Sequence, residues 1–142
     1  MTTSDEPIII VDDDQDDQFL IKKVCENIGT NRNMLFFDDG REVLKYLRAT
    51  TDNPFLILCD INMPVINGLE LRREINKDEG LRTKCIPFVF FSTAASPVQI
   101  DEAYRLTVQG FFIKETSMQK LEKTLRLVFE YWELCKHPHG IK

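Results

Sequence analysis

Four short apolar runs punctuate a mixed chain, and each stops abruptly on polar residues. Ile8–Val11 runs into Asp12-Asp13-Asp14, residues 55–59 into Asp60, residues 88–91 into Ser92 and Thr93, and Gly110–Ile113 into Lys114. Runs this short, apolar at every position, read as strands covered on both faces. Met34–Phe37 adds a fifth strand. Between the runs, apolar residues recur at helical spacing: Phe19, Leu20, Val24 and Ile28 up to a stop at Gly29; Val43, Leu44 and Leu47 after Asp38-Asp39-Gly40; Leu69, Leu71 and Ile75 from Asn67-Gly68 to near Gly80. A fourth helix opens on Ser96 as N-cap, Pro97 at the first position and Gln99 closing a capping box, with Ile100, Ala103, Tyr104 and Leu106 on its apolar side. The fifth starts near Ser117, carries Leu121, Leu125, Val128 and Trp132, and ends near Cys135. Strand then helix, five times over, predicts an α/β fold: a single doubly wound, five-stranded parallel sheet with five helices on its two faces.

Composition narrows the function. With 142 residues, 43% of them apolar, one domain with a proper core is expected, placed at residues 6–136 with flexible termini at 1–5 and 137–142. The formal charge of -5, with Lys and Arg scattered, speaks against a nucleic-acid surface. Neither a signal-peptide core nor a membrane-length run is present, so no membrane partner and a cytoplasmic location are expected. The four cysteines lack C-x-x-C spacing and read as reduced thiols. The two histidines fall in the tail Lys136-His137-Pro138-His139-Gly140, read as solvated rather than metal-binding.

In open parallel sheets the ligand site lies just outside the carboxyl ends of the strands. Asp12, Asp13, Asp60, a hydroxyl from Ser92 or Thr93, and Lys114 should therefore converge on one edge. Asp60 ends the most apolar strand, where a lone carboxylate needs a reason; a turn-forming or helix-capping role is the plain alternative. Asp13, Asp60 and the backbone carbonyl of Asn62, with Asp12 beside them, offer the oxygen donors that Mg²⁺ prefers. Asp14, Asp16 and Asp17 open the first helix, where its dipole favours negative charge, and that role is assigned to Asp16 and Asp17. A calcium loop is excluded: the position that needs Gly is Asp17 and the one that needs Glu is Lys23. Lys114, which as a surface lysine could simply snorkel, is better placed to hold a phosphoryl oxygen opposite the carboxylates.

Four motifs in this order, Ile10-Val11-Asp12-Asp13, Leu58-Cys59-Asp60-Ile61-Asn62-Met63-Pro64 with Asn67-Gly68, Ile86-Pro87 followed by Ser92, and Gly110-Phe111-Phe112-Ile113-Lys114, resemble the receiver domain of bacterial two-component response regulators. The likeness spans about Glu6 to Trp132. The acidic opening and Leu81-Arg82…Ile86-Pro87 look nearest to stand-alone regulators paired with bacteriophytochromes. The resemblance implies the flavodoxin-like strand order 2-1-3-4-5. It makes Asp60 the phosphoacceptor, Asp13 a direct Mg²⁺ ligand with Asp12 at the metal site, and Asn62 a backbone ligand. Ser92 becomes the switch hydroxyl, Phe111 the switch aromatic and Lys114 the phosphoryl contact.

The same resemblance implies a phosphorelay switch rather than an enzyme, although one able to catalyse its own phosphorylation from small donors and its own dephosphorylation. Its implied partners are a sensor histidine kinase, of bacteriophytochrome type by the closer likeness, and a downstream protein target or phosphotransfer protein. Docking or homodimerisation would use the face of the fourth helix, fifth strand and fifth helix, with Tyr104, Phe111 and Tyr131. Two residues depart from the pattern. Glu115 stands where the family usually has a Pro after the lysine, so a trans bond is expected there, and Phe111 lacks the hydroxyl of the usual Tyr. A phosphatase of the haloacid dehalogenase type fits worse, because its second Asp is here Asn62, which cannot act as general acid. A receiver-like module that docks partners without phosphorylation is the remaining alternative.

Overall fold

A computed structural model describes residues 6–137. The strands β1 (Ile8–Val11), β2 (Met34–Phe37), β3 (Leu56–Cys59), β4 (Phe88–Ser92) and β5 (Gly110–Ile113) form one parallel sheet in the order β2-β1-β3-β4-β5. Both ends of the described region bear on the expected termini: residues 1–5 and 138–142, His139 among them, lie outside it. His137 lies inside it, its ring stacking on Phe55 at 5.0 Å.

Because side chains alternate across a strand, the sheet builds two cores. On one face Ile8, Ile10, Leu56, Leu58, Val89 and Phe91 meet Ile21, Val24 and Cys25 of α1 (Gln15–Ile28) and Leu121, Leu125, Val128 and Phe129 of α6 (Met118–Leu134). On the other, Ile9, Val11, Ile57, Cys59, Phe88 and Phe90 meet α2 (Gly40–Ala49), α3 (Gly68–Lys77), α4 (Glu79–Arg82) and α5 (Pro97–Arg105). The sixth helix arises because Asp78 ends α3 and at once caps α4, its carboxylate accepting from the Leu81 amide at 3.2 Å. The expected capping box of Ser96 and Gln99 is present on α5, and Asn67 with Glu70 makes a second on α3.

Three apolar expectations shift. Phe19 is 63% exposed, since α1 turns Leu20 and Ile21 inward instead. Tyr104, expected on the apolar side of α5, is exposed as well. β5 lies at the sheet edge, so Phe112 and Ile113 stay exposed although the run is apolar throughout.

The loop after β3 holds Val65 at φ 70°, a left-handed conformation that a β-branched residue adopts only under strain. The side chain is 66% exposed and contributes little burial. Val65→Asn should therefore raise stability by about 1 kcal/mol, because Asn tolerates this region; thermal unfolding of the two proteins checks it.

Candidate functional site

Strand register brings the polar ends together. Val11 pairs with Cys59, and the Asp60 amide donates to the Val11 carbonyl at 2.9 Å, which sets Asp12 beside Asp60. Ser92 pairs with Ile113, and the Lys114 amide donates to the Ser92 carbonyl at 2.8 Å. All of these residues lie at the carboxyl edge of the sheet, around its centre.

Asp60 is 9% exposed, Asp12 and Ser92 essentially buried, and Lys114 5% exposed. The Ser92 hydroxyl donates to Asp60 Oδ1 at 2.8 Å and also lies 3.1 Å from the Ala94 carbonyl, while Thr93 faces solvent. Lys114 Nζ donates to Asp12 Oδ2 and, at 2.9 Å, to Asp17 Oδ2, and lies 3.9 Å from Asp60 Oδ2. Asp13 is exposed, and its carboxylate has no hydrogen-bond partner among the described residues. The Asn62 side-chain amide reaches the Ala94 carbonyl at 3.4 Å. The Lys114–Glu115 bond is trans.

Asp17 joins the site although its place in the sequence points only to the helix dipole. It sits in the first turn of α1, whose N-cap Asp14 accepts from the Asp16 and Asp17 amides. Nothing in the sequence separates Asp16 from Asp17; only the helix's entry angle turns one of them onto Lys114. Phe111 points into the second core, half-buried, its ring 5.7 Å from Phe90.

The electrostatics leave positive charge wanting. Burial would push the Lys114 ammonium down, but its hydrogen bonds to Asp12 and Asp17 outweigh this and hold it above its usual range. Burial likewise pushes the Asp12 carboxyl up, against the hydrogen bonds from Lys114 and the Asp14 amide. Four carboxylates, of Asp12, Asp13, Asp17 and Asp60, thus face a single ammonium. Ligand oxygens of Asp12, Asp13 and Asp60 all lie within 4.8 Å of one another. An all-oxygen, anionic donor set of that span suits a hard divalent cation.

A carboxylate beside a hydroxyl donor, an ammonium and an acidic cluster that suits a divalent cation has the groups needed to take up and hold a phosphoryl group. Comparison with known proteins gives the family. The family model of the response regulator receiver domain matches residues 8–126. The chain is 30% identical over 129 residues to the probable methanogenesis regulatory protein FilR2 of Methanothrix harundinacea, covering 88% of this chain and 82% of that one. It is 32% identical over 123 residues to the chemotaxis protein CheY of Pseudomonas aeruginosa, covering 87% and 95%. Among solved structures, the phosphorylated cyanobacterial phytochrome response regulator RcpA superposes with a TM-score of 0.83 at 29% identity, covering 94% of this chain and 98% of that one. With its fold, its strand-end carboxylates and these likenesses in agreement, the chain belongs to the response regulator receiver domain family of two-component signalling.

Proposed function

We propose that this receiver accepts a phosphoryl group on Asp60 and uses it to switch a protein-docking surface. The observation that carries the reading is the placement of Asp60 within 2.8 Å of the Ser92 hydroxyl and 3.9 Å of Lys114 Nζ, beside two further carboxylates. Receiver domains take their signal from histidine kinases and pass it to downstream targets. Here an Asp60 carboxylate oxygen attacks phosphorus on a phosphohistidine. A P–O bond forms, the P–N bond breaks, and the imidazole leaves with the electron pair. Asp12, Asp13 and Asp60, with the Asn62 carbonyl, would hold Mg²⁺; when bound, it supplies positive charge against the oxygens of the transferring group. Lys114 supplies the fixed charge of the site from its hydrogen bonds to Asp12 and Asp17. Holding those donors in place before reaction is what lowers the barrier.

Once Asp60 carries roughly -1.5 to -2 of charge, Ser92 can turn its hydroxyl from the carboxylate to the phosphoryl oxygens. Its contact with the Ala94 carbonyl couples that motion to the loop that Asn62 also touches. Phe111, as the switch aromatic, would then repack against Phe90 without a hydroxyl to anchor it. The readout surface is α5, β5 and α6, where Tyr104 and Tyr131 are 53% and 60% exposed; a downstream protein, a phosphotransfer protein or a second copy would dock there. The likeness to the phytochrome regulator RcpA supports a bacteriophytochrome as the kinase. No helix among the described residues is long and apolar enough to cross a membrane, and we place this exchange in the cytoplasm.

Incubation with acetyl phosphate, then intact mass, tests the reading. One phosphoryl group should be gained with Mg²⁺ and none without it; no gain with Mg²⁺ bound would leave a phosphorylation-independent docking module. Asp13→Asn separates metal binding from folding. It relieves like-charge repulsion, so the metal-free protein should gain about 1 kcal/mol, while Mg²⁺ affinity falls at least tenfold. Urea unfolding with and without Mg²⁺ reads both.

A further inference from the structure

At the opposite edge of the sheet, under the amino ends of β3 and β4, lies a cleft of about 320 Å³. Ile57, Ile75, Leu81 and Pro87 make part of its wall, Trp132 another part, and its charged residues are Arg72, Arg82 and Lys136. No carboxylate among the described residues lines it. In a chain of net charge -5 that is a concentrated positive pocket.

Arg72 is the telling residue. It is only 8% exposed, yet forms no ion pair with any carboxylate among the described residues. Its Nε donates to the Leu106 carbonyl at 3.2 Å and one terminal nitrogen, Nη2, to the Thr107 carbonyl at 3.1 Å. Those bonds pin the turn before β5, where Thr107 sits at φ 62°. They leave Nη1 without a partner among the described residues, although no sealed side-chain nitrogen or oxygen is left unsatisfied. Arg72 therefore keeps one guanidinium nitrogen that is not sealed off, and it is one of the residues that line the cleft. Its neighbours tie in the second cation: Asn76 donates to the same Leu106 carbonyl at 3.0 Å, and Arg82 donates to the Asn76 carbonyl at 2.9 Å. Burial without a counter-ion pushes the Arg72 guanidinium below its usual value. A buried cation held only by neutral partners is costly, and an anion arriving beside it recovers that cost.

We propose that this cleft binds a small organic anion with an apolar body, of the medium-chain carboxylate class, its carboxylate held between Arg72 and Arg82 and its chain against Ile57, Ile75 and Leu81. Its volume lies at the small end of ligand pockets, and its lining is divided between apolar side chains and polar ones that include three cations, which suits a ligand with an apolar body and an anionic end. The cleft is separate from the phosphoryl site, which lies at the other edge of the sheet, and binding there does not depend on phosphorylation of Asp60.

The probe is octanoate, with octanol (apolar body, no charge) and acetate (charge, no body) as controls. Trp132 is the only tryptophan of the chain and lines the cleft, so its emission reports occupancy. Cys85 is exposed and also lines it, so occupancy should slow its alkylation by iodoacetamide, followed on the Cys85 peptide by mass spectrometry. Cys25, whose thiol burial pushes up to about 12, and the fully buried Cys59 serve as unreactive internal references. Octanoate should give a saturable emission change and protect Cys85 at least fivefold, and at equal concentration the controls should do neither. Arg82→Gln, at an exposed position that leaves the core intact, should weaken octanoate at least tenfold, and Arg72→Met should do the same if it folds. No saturable change, equal effects of octanol and octanoate, or undiminished binding by Arg82→Gln would each overturn the proposal.

Discussion

Lys114→Met should slow phosphorylation by acetyl phosphate about 100-fold at saturating Mg²⁺ while the protein stays folded, since loss of one preorganised donor to developing charge costs roughly 10²–10³ in rate. Among the described residues no other Lys or Arg pairs with Asp12, Asp17 or Asp60, so the substitution removes the site's fixed positive charge. The fold survives because Mg²⁺ held by Asp12, Asp13 and Asp60 would still give the buried carboxylates a counter-charge, and Asp17 is partly exposed to solvent. Lys114→Arg should not rescue the rate. A compact point charge is what the three carboxylates surround at this buried position, and a planar guanidinium with fixed donor directions does not reproduce it. Rapid-mixing kinetics on the three proteins measures this. A rate within about threefold of the parent for Lys114→Met would remove the lysine from the reaction.

Gly68→Ala should destabilise the protein by about 3 kcal/mol, near the upper end of overpacking costs. A methyl at this position would come within 2.3 Å of the Asp60 carbonyl, 2.7 Å of Phe90 Cε1 and 3.0 Å of Ile61 Cα. Two of these are main chain and cannot rotate away. Gly68 is the first residue of α3, its amide bonded to the Ile61 carbonyl at 2.8 Å, so the helix start and the phosphoacceptor loop touch backbone to backbone. Whatever relaxation the alanine forces moves Asp60 itself. Misplacement of a reacting group by about 1 Å can cost 10²-fold in rate, so phosphorylation should fall along with stability. Equilibrium urea unfolding, paired with the phosphorylation rate in the native baseline, checks both arms.

The fold is legible in the sequence because its strands are short, apolar and each end on a chemically distinct residue. Once β1 and β3 are neighbours in a parallel sheet, Asp12 and Asp60 must share an edge, and the pairing of β4 with β5 does the same for Ser92 and Lys114. Asn67 and Ser96 mark their helix starts by accepting from backbone amides that need partners, and Pro97 by having no N–H to satisfy at the first position, local demands that sequence displays directly. Contacts set by how whole elements lean are not legible. Asp17 reaches Lys114 only through the angle of α1, and its neighbour Asp16 has the same local signature. Arg72, one charge among several on α3, gives no hint of being buried until the turn at Leu106 and Thr107 lies over it. Phe19 and Phe112 are apolar in pattern and exposed in fact, because which face of α1 is covered, and that β5 is an edge, are properties of the assembled layers.

The most direct test is to place the phosphoryl group on a single residue. After reaction with acetyl phosphate and Mg²⁺, reduction by borohydride converts an aspartyl phosphate to homoserine, and peptide mass mapping then reads the position. If Asp60 is the phosphoacceptor, homoserine appears at position 60 alone, and not at all in Asp60→Asn. Homoserine at Asp12 or Asp13, or at no position while Mg²⁺ binds normally, would contradict it.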